Sequence, residues 1–532
     1  MSPGHLLYIT RRIRPIFLPP LWTRNARSAT TQIMPSASTT PPSEPTPPPP
    51  TAMIYDRLAE KVKSKLKHLE NPDPKFLRYA SPHPIVTDYS PILRSPETKV
   101  TTLPNGLRVA TESNLASKTA AIAVWVDAGS RYEADEAQGV AHLLERMIFK
   151  GTEKRDEKKL GEEVENIGGV INACSTREKT EYSMKVMMNN SDNAIDILGD
   201  ALQNSVFDEK KLEHEKGLIL QEIGKGGRKD KDVIFDHLHA TAFQYTSLGR
   251  SVTGSVDNIM KITKAQIQDY LSNNYATHRM VISAAGAVKH EDIVEQVKKH
   301  FTKLSSNPET ASQLVANRPA VFTGSEIRMI DDNLPVAQFA VAFEGASWTD
   351  PDSIALMVMK VMLGSWSKKE GGGKHVGSEL VQRVAINKIA ESMGTFNLNY
   401  KDTGLFGVYA ESKPDCLDDL AFAIMYEMSK FCYRVSEADV IRARNQLKYL
   451  LLHRINGNDS IAEDIGFQLI TYGRRMPIAE LFARIDSVDV KTVKRVANRF
   501  IFDKDIAISA KGPIQGLPDY NWFRRRTYWL RY

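Results

Sequence analysis

Cysteine is scarce: 532 residues contain three, Cys174, Cys416 and Cys432, with neither pairing nor metal-ligand spacing. That excludes a disulfide framework and leaves buried or incidental thiols of a reducing compartment. No uninterrupted apolar run approaches the roughly 18 residues of a membrane span, so membrane association would come only through partners. Acidic residues are missing from the first 40 positions, where Arg11, Arg12, Arg14, Arg24 and Arg27 stand unopposed. Those five arginines supply five of the six surplus charges, so the rest of the chain is nearly neutral and no global field for nucleic acid remains.

The Arg-rich, acid-free leader, with its Ser, Thr and apolar residues, has the composition of a mitochondrial transit peptide. Residues 35–50, Pro-rich and without packing potential, read as linker, so 1–51 forms one unfolded unit. Residues 52–95 are expected to be an extension whose charged amphipathic helix (52–69) lies outside the core. Beyond this, a composition of 42% hydrophobic and 25% charged residues is that of a globular chain too long for one core.

From Val100 the pattern is that of folded protein. An Asn105-Gly106 turn between apolar runs predicts a hairpin. Ala120–Gly129 reads as a buried strand, followed by the helix carrying His142. Helices are expected at 156–167, 192–204 and 208–223, and strands around 168–174 and 181–188. The second half repeats that order: a strand at 337–348, a helix at 350–363, a strand at 404–410, and helices at 416–431 and 437–455. Two homologous α+β domains are therefore expected, 96–310 and 325–532, each a mainly antiparallel sheet packed with helices.

The most informative segment is Gly139-Val-Ala-His142-Leu-Leu-Glu145-Arg146-Met-Ile-Phe-Lys-Gly151. On a helix His142, Glu145 and Arg146 share one face. In the pattern H-x-x-E-H two such imidazoles hold zinc and the glutamate activates water; here the second imidazole is a guanidinium. The equivalent helix of the second half, Ile354–Leu363, is almost wholly apolar, so the fold itself does not require ionisable groups there. Downstream, Glu215 and Glu222 lie two turns apart on another helical face.

These features resemble the pitrilysin family of metallopeptidases, over residues 75 to 532. Within it they are similar to the branch that processes mitochondrial presequences or supplies core proteins of respiratory complex III. The resemblance is carried by Thr102–Asn114, Phe149–Arg155, Asp236–Tyr245, Gly286–Glu291, Gly371–Gly377 and the tail from Leu517 to Trp529. It implies one Zn²⁺ held by His142 and Glu222, with Glu145 as general base and Glu215 as supporting carboxylate. It places Asn172 on a strand that pairs with an extended substrate, and Asp232 and Asp236 where a presequence arginine is received. Implied partners are an alpha-type subunit, complex III subunits and basic presequence peptides, in the matrix or on the matrix face of the inner membrane.

The chain departs from the family pattern at this same site. Arg146 has no lone pair for a metal, but amid Glu145, Glu215 and Glu222 it can substitute its charge for the metal's. The strand 168–174 ends in Asn-Ala-Cys where relatives have His-Leu-Asn-Ala-Tyr. After Glu222, Lys225, Arg228 and Lys229 replace an acidic stretch. Three readings stay open: a zinc endopeptidase acting on basic presequences, a catalytically inactive core subunit of complex III, and a presequence-binding module, against which the basic loop argues.

Other features have plainer readings. Gly371–Gly377 lacks phosphate-loop spacing and is expected to be a flexible loop, one that the resemblance implies touches substrate. His237 and His239, two residues apart on a helix, do not face one site. The stripe Leu356–Leu363 is core, and Arg524–Arg526 with Tyr528, Trp529 and Tyr532 is a docking tail.

Overall fold

A computed structural model describes residues 96–224, 229–305 and 307–528; the leader, the linker, the extension 52–95, Lys225, Arg228, Trp529 and Tyr532 lie outside these. The first half contributes β1 (Thr98–Thr102), β2 (Arg108–Ser113), β3 (Thr119–Val126), β4 (Val170–Ser175), β5 (Thr180–Met187) and β6 (Met280–Gly286). They form one sheet in the order β1-β2-β6-β3-β5-β4. The second half contributes β7 (Ser325–Ile330), β8 (Ala337–Gly345), β9 (Ser365–Ser367), β10 (Ser392–Asn399), β11 (Gly404–Ser412) and β12 (Ile506–Gly512), ordered β7-β12-β8-β11-β10-β9. Both sheets are mainly antiparallel with one parallel pair each, β2 with β6 and β7 with β12.

The two orders superimpose by role. β2, β6, β3, β5 and β4 of the first sheet correspond to β7, β12, β8, β11 and β10 of the second. The halves differ at their edges, where β1 is an extra strand at one end of the first sheet and β9 at the opposite end of the second. β1 and β2 form the expected hairpin, closed by the Leu103 amide donating to the Leu107 carbonyl at 2.8 Å, with Gly106 at φ 88° supplying the left-handed turn residue.

Each sheet is covered on both faces, which explains strands as apolar as β3 (TAAIAVWV) and β8 (AQFAVAFEG). Alternation sorts their side chains. Ile122, Val124 and Val126 enter the first core, whereas Ala123 and Trp125 face Ile465 and Leu469 of the helix Asn458–Tyr472. Likewise Phe339, Val341 and Phe343 enter the second core, and Ala340 and Ala342 meet the helix Asp230–Ala242. The halves therefore exchange a helix: the first half's Asp230–Ala242 packs on β7, β8 and β12, and the second half's Asn458–Tyr472 packs on β2, β3 and β6. The alanines on these faces let each helix approach the sheet closely.

The expected helices are present as Glu157–Asn166, Ser191–Asn204, Glu209–Gly224, Ser353–Leu363, Leu417–Lys430 and Glu437–Arg454. All three cysteines are free thiols, Cys174 buried. Among the described residues no helix is long and apolar enough to cross a membrane.

Candidate functional site

The short helix Val140–Met147 is fixed at its start before any functional group is placed on it. Gly139 enters it at φ 93°, and a Cβ there would lie 2.7 Å from the Thr253 carbonyl oxygen. The buried carboxylate of Glu133 accepts hydrogen bonds from the Gly139 and Ala141 amides, both at 2.8 Å, satisfying helix-terminal donors with an acidic partner. Sequence reading missed Glu133, and its spacing to the helix resembles no standard cap.

From this helix His142 and Glu145 turn towards β4 and a cavity of about 1470 Å³ between the two halves. Glu145 Oε2 accepts the Ser175 amide at 3.0 Å and lies 3.4 Å from His142 Nδ1. His142 is buried, and its Nε2 has no hydrogen-bond partner. Asn172, on β4, likewise has a buried Oδ1 without a partner. β4 ends the first sheet, so among the described residues its outer edge pairs with no strand, whereas the equivalent β10 is covered by β9.

Arg146 turns to the helix Glu209–Gly224. Its Nε donates to Glu215 Oε2 at 2.8 Å and its Nη1 to Glu222 Oε1 at 2.7 Å. Lys150 Nζ adds a second cation to Glu215 at 3.3 Å and also binds Glu157 at 2.9 Å. Burial alone would loosen the Arg146 proton, but its hydrogen bonds to the carboxylates of Glu222 and Glu215 outweigh it and hold the guanidinium above its ordinary pKa.

The donor set does not fit a zinc ion. A catalytic zinc needs three protein ligands of the His or carboxylate type. Here one imidazole remains, and both carboxylates are hydrogen-bonded to a guanidinium that carries its own positive charge. Among the described residues no three His, Cys, Asp or Glu side chains converge on a metal position. Of the expected metal-site residues, Glu222 is paired with Arg146, and Glu215 with that arginine and Lys150.

The two expected substrate acids separate. Asp232 lines the cavity. Asp236 lines it too, but is buried with its Oδ1 on Arg177 Nη2 at 2.8 Å and its Oδ2 accepting from Ser251 at 2.8 Å, so it is already neutralised within the chain. Arg177 lies 59 positions away in sequence, and nothing local announced the pair. His239 is structural, its ring bonded to the Phe235 carbonyl and to Tyr400 Oη, both at 2.6 Å. Burial, then the nearby Arg177 charge, pushes it down to about 3, so it stays neutral. Gly371–Gly377 is an irregular segment on the cavity wall.

Comparison with known proteins identifies the family. Residues 108–256 match the family described as Insulinase (Peptidase family M16), and residues 261–447 match the Peptidase M16 inactive domain. A protein of Arabidopsis thaliana described as probable mitochondrial-processing peptidase subunit beta is 62% identical over the whole of both chains. The chain belongs to peptidase family M16. The mitochondrial-processing peptidase subunit beta of Bos taurus is 42% identical over 82% of this chain and 89% of its own. Among solved structures, a chain of complex III2 from Candida albicans superposes with a TM-score of 0.71 at 26% identity, covering 81% of this chain and all of that one. A protease from Helicobacter pylori shares the fold with a TM-score of 0.69 at 20% identity. The M16 chain described here is thus a homologue of mitochondrial-processing peptidase beta subunits, with two M16 domains of the expected α+β kind. Membership implies a metal, typically zinc, and this chain's donor set departs from that implication at Arg146.

Proposed function

We propose that this chain serves as a beta-type subunit of mitochondrial presequence handling that binds extended peptides but does not hydrolyse them through zinc. The observation that carries the reading is the double hydrogen bond from Arg146 to Glu215 and Glu222, which puts a protein cation where family members place a metal. The binding half of the reading is supported by the open edge of β4 facing a large cavity, with unpartnered His142 Nε2 and Asn172 Oδ1 beside it. In this reading the Glu145 carboxylate fixes the edge of β4 through the Ser175 amide rather than activating water. An alpha-type subunit is the proposed partner, and the matrix the proposed compartment.

A second reading, a core subunit of complex III, is favoured by the superposition on a chain of that complex at 26% identity. Both readings share the absence of zinc chemistry. The test is to purify the full chain with an alpha-type subunit and measure metal content, peptide binding and peptide cleavage. The proposal expects no stoichiometric zinc, no cleavage of an Arg-containing presequence peptide, and retained binding of that peptide. One zinc per chain with cleavage would overturn it. Loss of binding together with co-migration in complex III would transfer the function to the second reading.

A further inference from the structure

The cavity wall carries an ionisable group with no part in the arrangement above. Glu181 lies on β5, in register with Cys174 of β4 on one side and Trp125 of β3 on the other. Residues in register share a sheet face, and Trp125 packs across that face on the exchanged helix Asn458–Tyr472. Glu181 therefore looks between the two halves. It is 1% exposed, lines the cavity, and has a buried Oε1 that makes no hydrogen bond. Glu463, on the exchanged helix, lines the same wall. Burial first, and then the charge of Glu463, push the Glu181 carboxyl up to about 8, against the weaker pulls of a hydrogen bond with Ser183 and of the Arg454 charge. Asp464 of the exchanged helix, Lys360 of the helix Ser353–Leu363, Lys179 and Arg454 line the same cavity. A buried carboxyl oxygen without a partner costs free energy that an arriving cation would recover.

We propose that Glu181, assisted by Glu463, forms a subsite for one cationic side chain of an extended peptide lying on the outer edge of β4. The proposal rests on the reading of β4 as a peptide-binding edge. Strands lie about 4.8 Å apart, so such a peptide runs roughly 10 Å from β5. Extended Arg or Lys and glutamate side chains together span that gap; short polar side chains do not. Cys174, a small side chain, stands between edge and carboxylate on the same face and lines the cavity with Glu181. A guanidinium or ammonium would ionise Glu181, its proton leaving to solvent, and supply the missing donor. An anionic side chain would meet two carboxyl groups.

The test uses the full chain and labelled twelve-residue peptides, neutral apart from a single Arg placed at successive positions. Each has a counterpart with norleucine in place of Arg. Fluorescence anisotropy is expected to show one register at which Arg binds about tenfold tighter than norleucine. Glu181→Gln should bring the Arg peptide down to the norleucine level while leaving norleucine peptides unchanged, and Glu463→Gln should weaken the same preference in part. Both replacements preserve shape, and thermal melts check that the variants fold. Equal affinity for Arg and norleucine at every register, or an Arg preference that survives Glu181→Gln, overturns the subsite and leaves the β4 reading standing. Failure of every peptide to bind, or binding undiminished by N-methylation of alternate backbone amides, overturns the β4 reading and the subsite with it.

Discussion

A guanidinium and a zinc ion both neutralise carboxylates, but only the guanidinium is covalently part of the helix that carries it. Arg146 binds Glu215 and Glu222 at 2.8 and 2.7 Å, so the helices Val140–Met147 and Glu209–Gly224 are joined without any exchangeable component. Arg146→Ala removes that link and leaves Glu215 almost fully buried with Lys150 alone. Breaking a fully buried pair costs about 3–5 kcal/mol. Because Arg146 is partly solvated and Glu222 is 40% exposed, a smaller loss of about 1–3 kcal/mol is expected in urea denaturation. Arg146→His instead restores an H-x-x-E-H helix beside freed Glu222. It should take up about one zinc per chain by elemental analysis and acquire a melting temperature that chelator lowers, whereas the parent melts alike with and without chelator. This arginine was legible as a cation amid carboxylates because the family resemblance brings the helix of Glu215 and Glu222 to the His142 helix. The Asp236–Arg177 pair was not, since no motif pointed to Arg177 as a partner. Glu181 gives a residue-scale pH effect. Its carboxyl stands at about 8 in the folded chain against an ordinary 4.5. Between those values the folded chain keeps a proton that the unfolded chain has released, so this contribution is complete below about pH 4.5 and lost as pH rises through 8. Glu181→Gln stays neutral throughout. The urea midpoint of the variant should therefore gain on the parent's steadily from pH 5 to pH 9. A constant difference across that range would refute the assignment.

At the scale of elements, apolar patterning and turn signals located β1 to β5, β8 and β11, the β1–β2 hairpin among them, with the His142 helix and the six helices matched above, but not β6, β7, β9, β10 or β12. They could not reveal where each helix docks. Nothing in Asn458–Tyr472 says that its apolar face meets Trp125, more than 300 positions earlier, because docking depends on long-range shape. Small residues are the trace this packing leaves. A Cβ on Gly466 would fall against the Trp125 indole, whose Nε1 is buried without a partner. Gly466→Ala should therefore destabilise by about 1–3 kcal/mol despite the better helix propensity of alanine. Gly217, exposed in the helix Glu209–Gly224 with open space around its Cβ position, is the control: Gly217→Ala should stabilise by about 0.5–1 kcal/mol. Matching signs for the two variants in urea melts would contradict the packing account. The same logic applies to the edges. The second half closes β10 with β9, whereas among the described residues no strand pairs with the outer edge of β4, and that difference between related halves supports the proposed peptide-binding edge.

For the whole molecule, the exchanged helices make each half a structural component of the other, and a buried ionic cluster reinforces the junction. Arg131 donates to Glu178 at 2.7 Å and to both oxygens of Asp402, in the turn between β10 and β11, at 2.7 and 2.5 Å. Glu178 also accepts the Lys401 amide at 3.1 Å, and Lys401 Nζ reaches back to Asp127 at 2.8 Å. These residues are scattered in sequence, so the clamp was invisible before folding. Independent domains joined by a linker would melt in two steps, since nothing couples their cores. Here, unfolding either half strips a helix from the other's sheet and exposes Trp125, Ile465 and Leu469 on one side or Phe235 and Ala342 on the other. Calorimetry of the described region should therefore show a single transition. Asp402→Ala should lower its midpoint without splitting it, because the helix exchange still couples the halves after the clamp is weakened. Expressed separately with a break near residue 318, the halves should each aggregate through the uncovered sheet face, and co-expression should return a soluble pair. Two resolved transitions in the intact chain, or either half soluble and cooperative alone, would show that the exchanged helices contribute little to the neighbouring core.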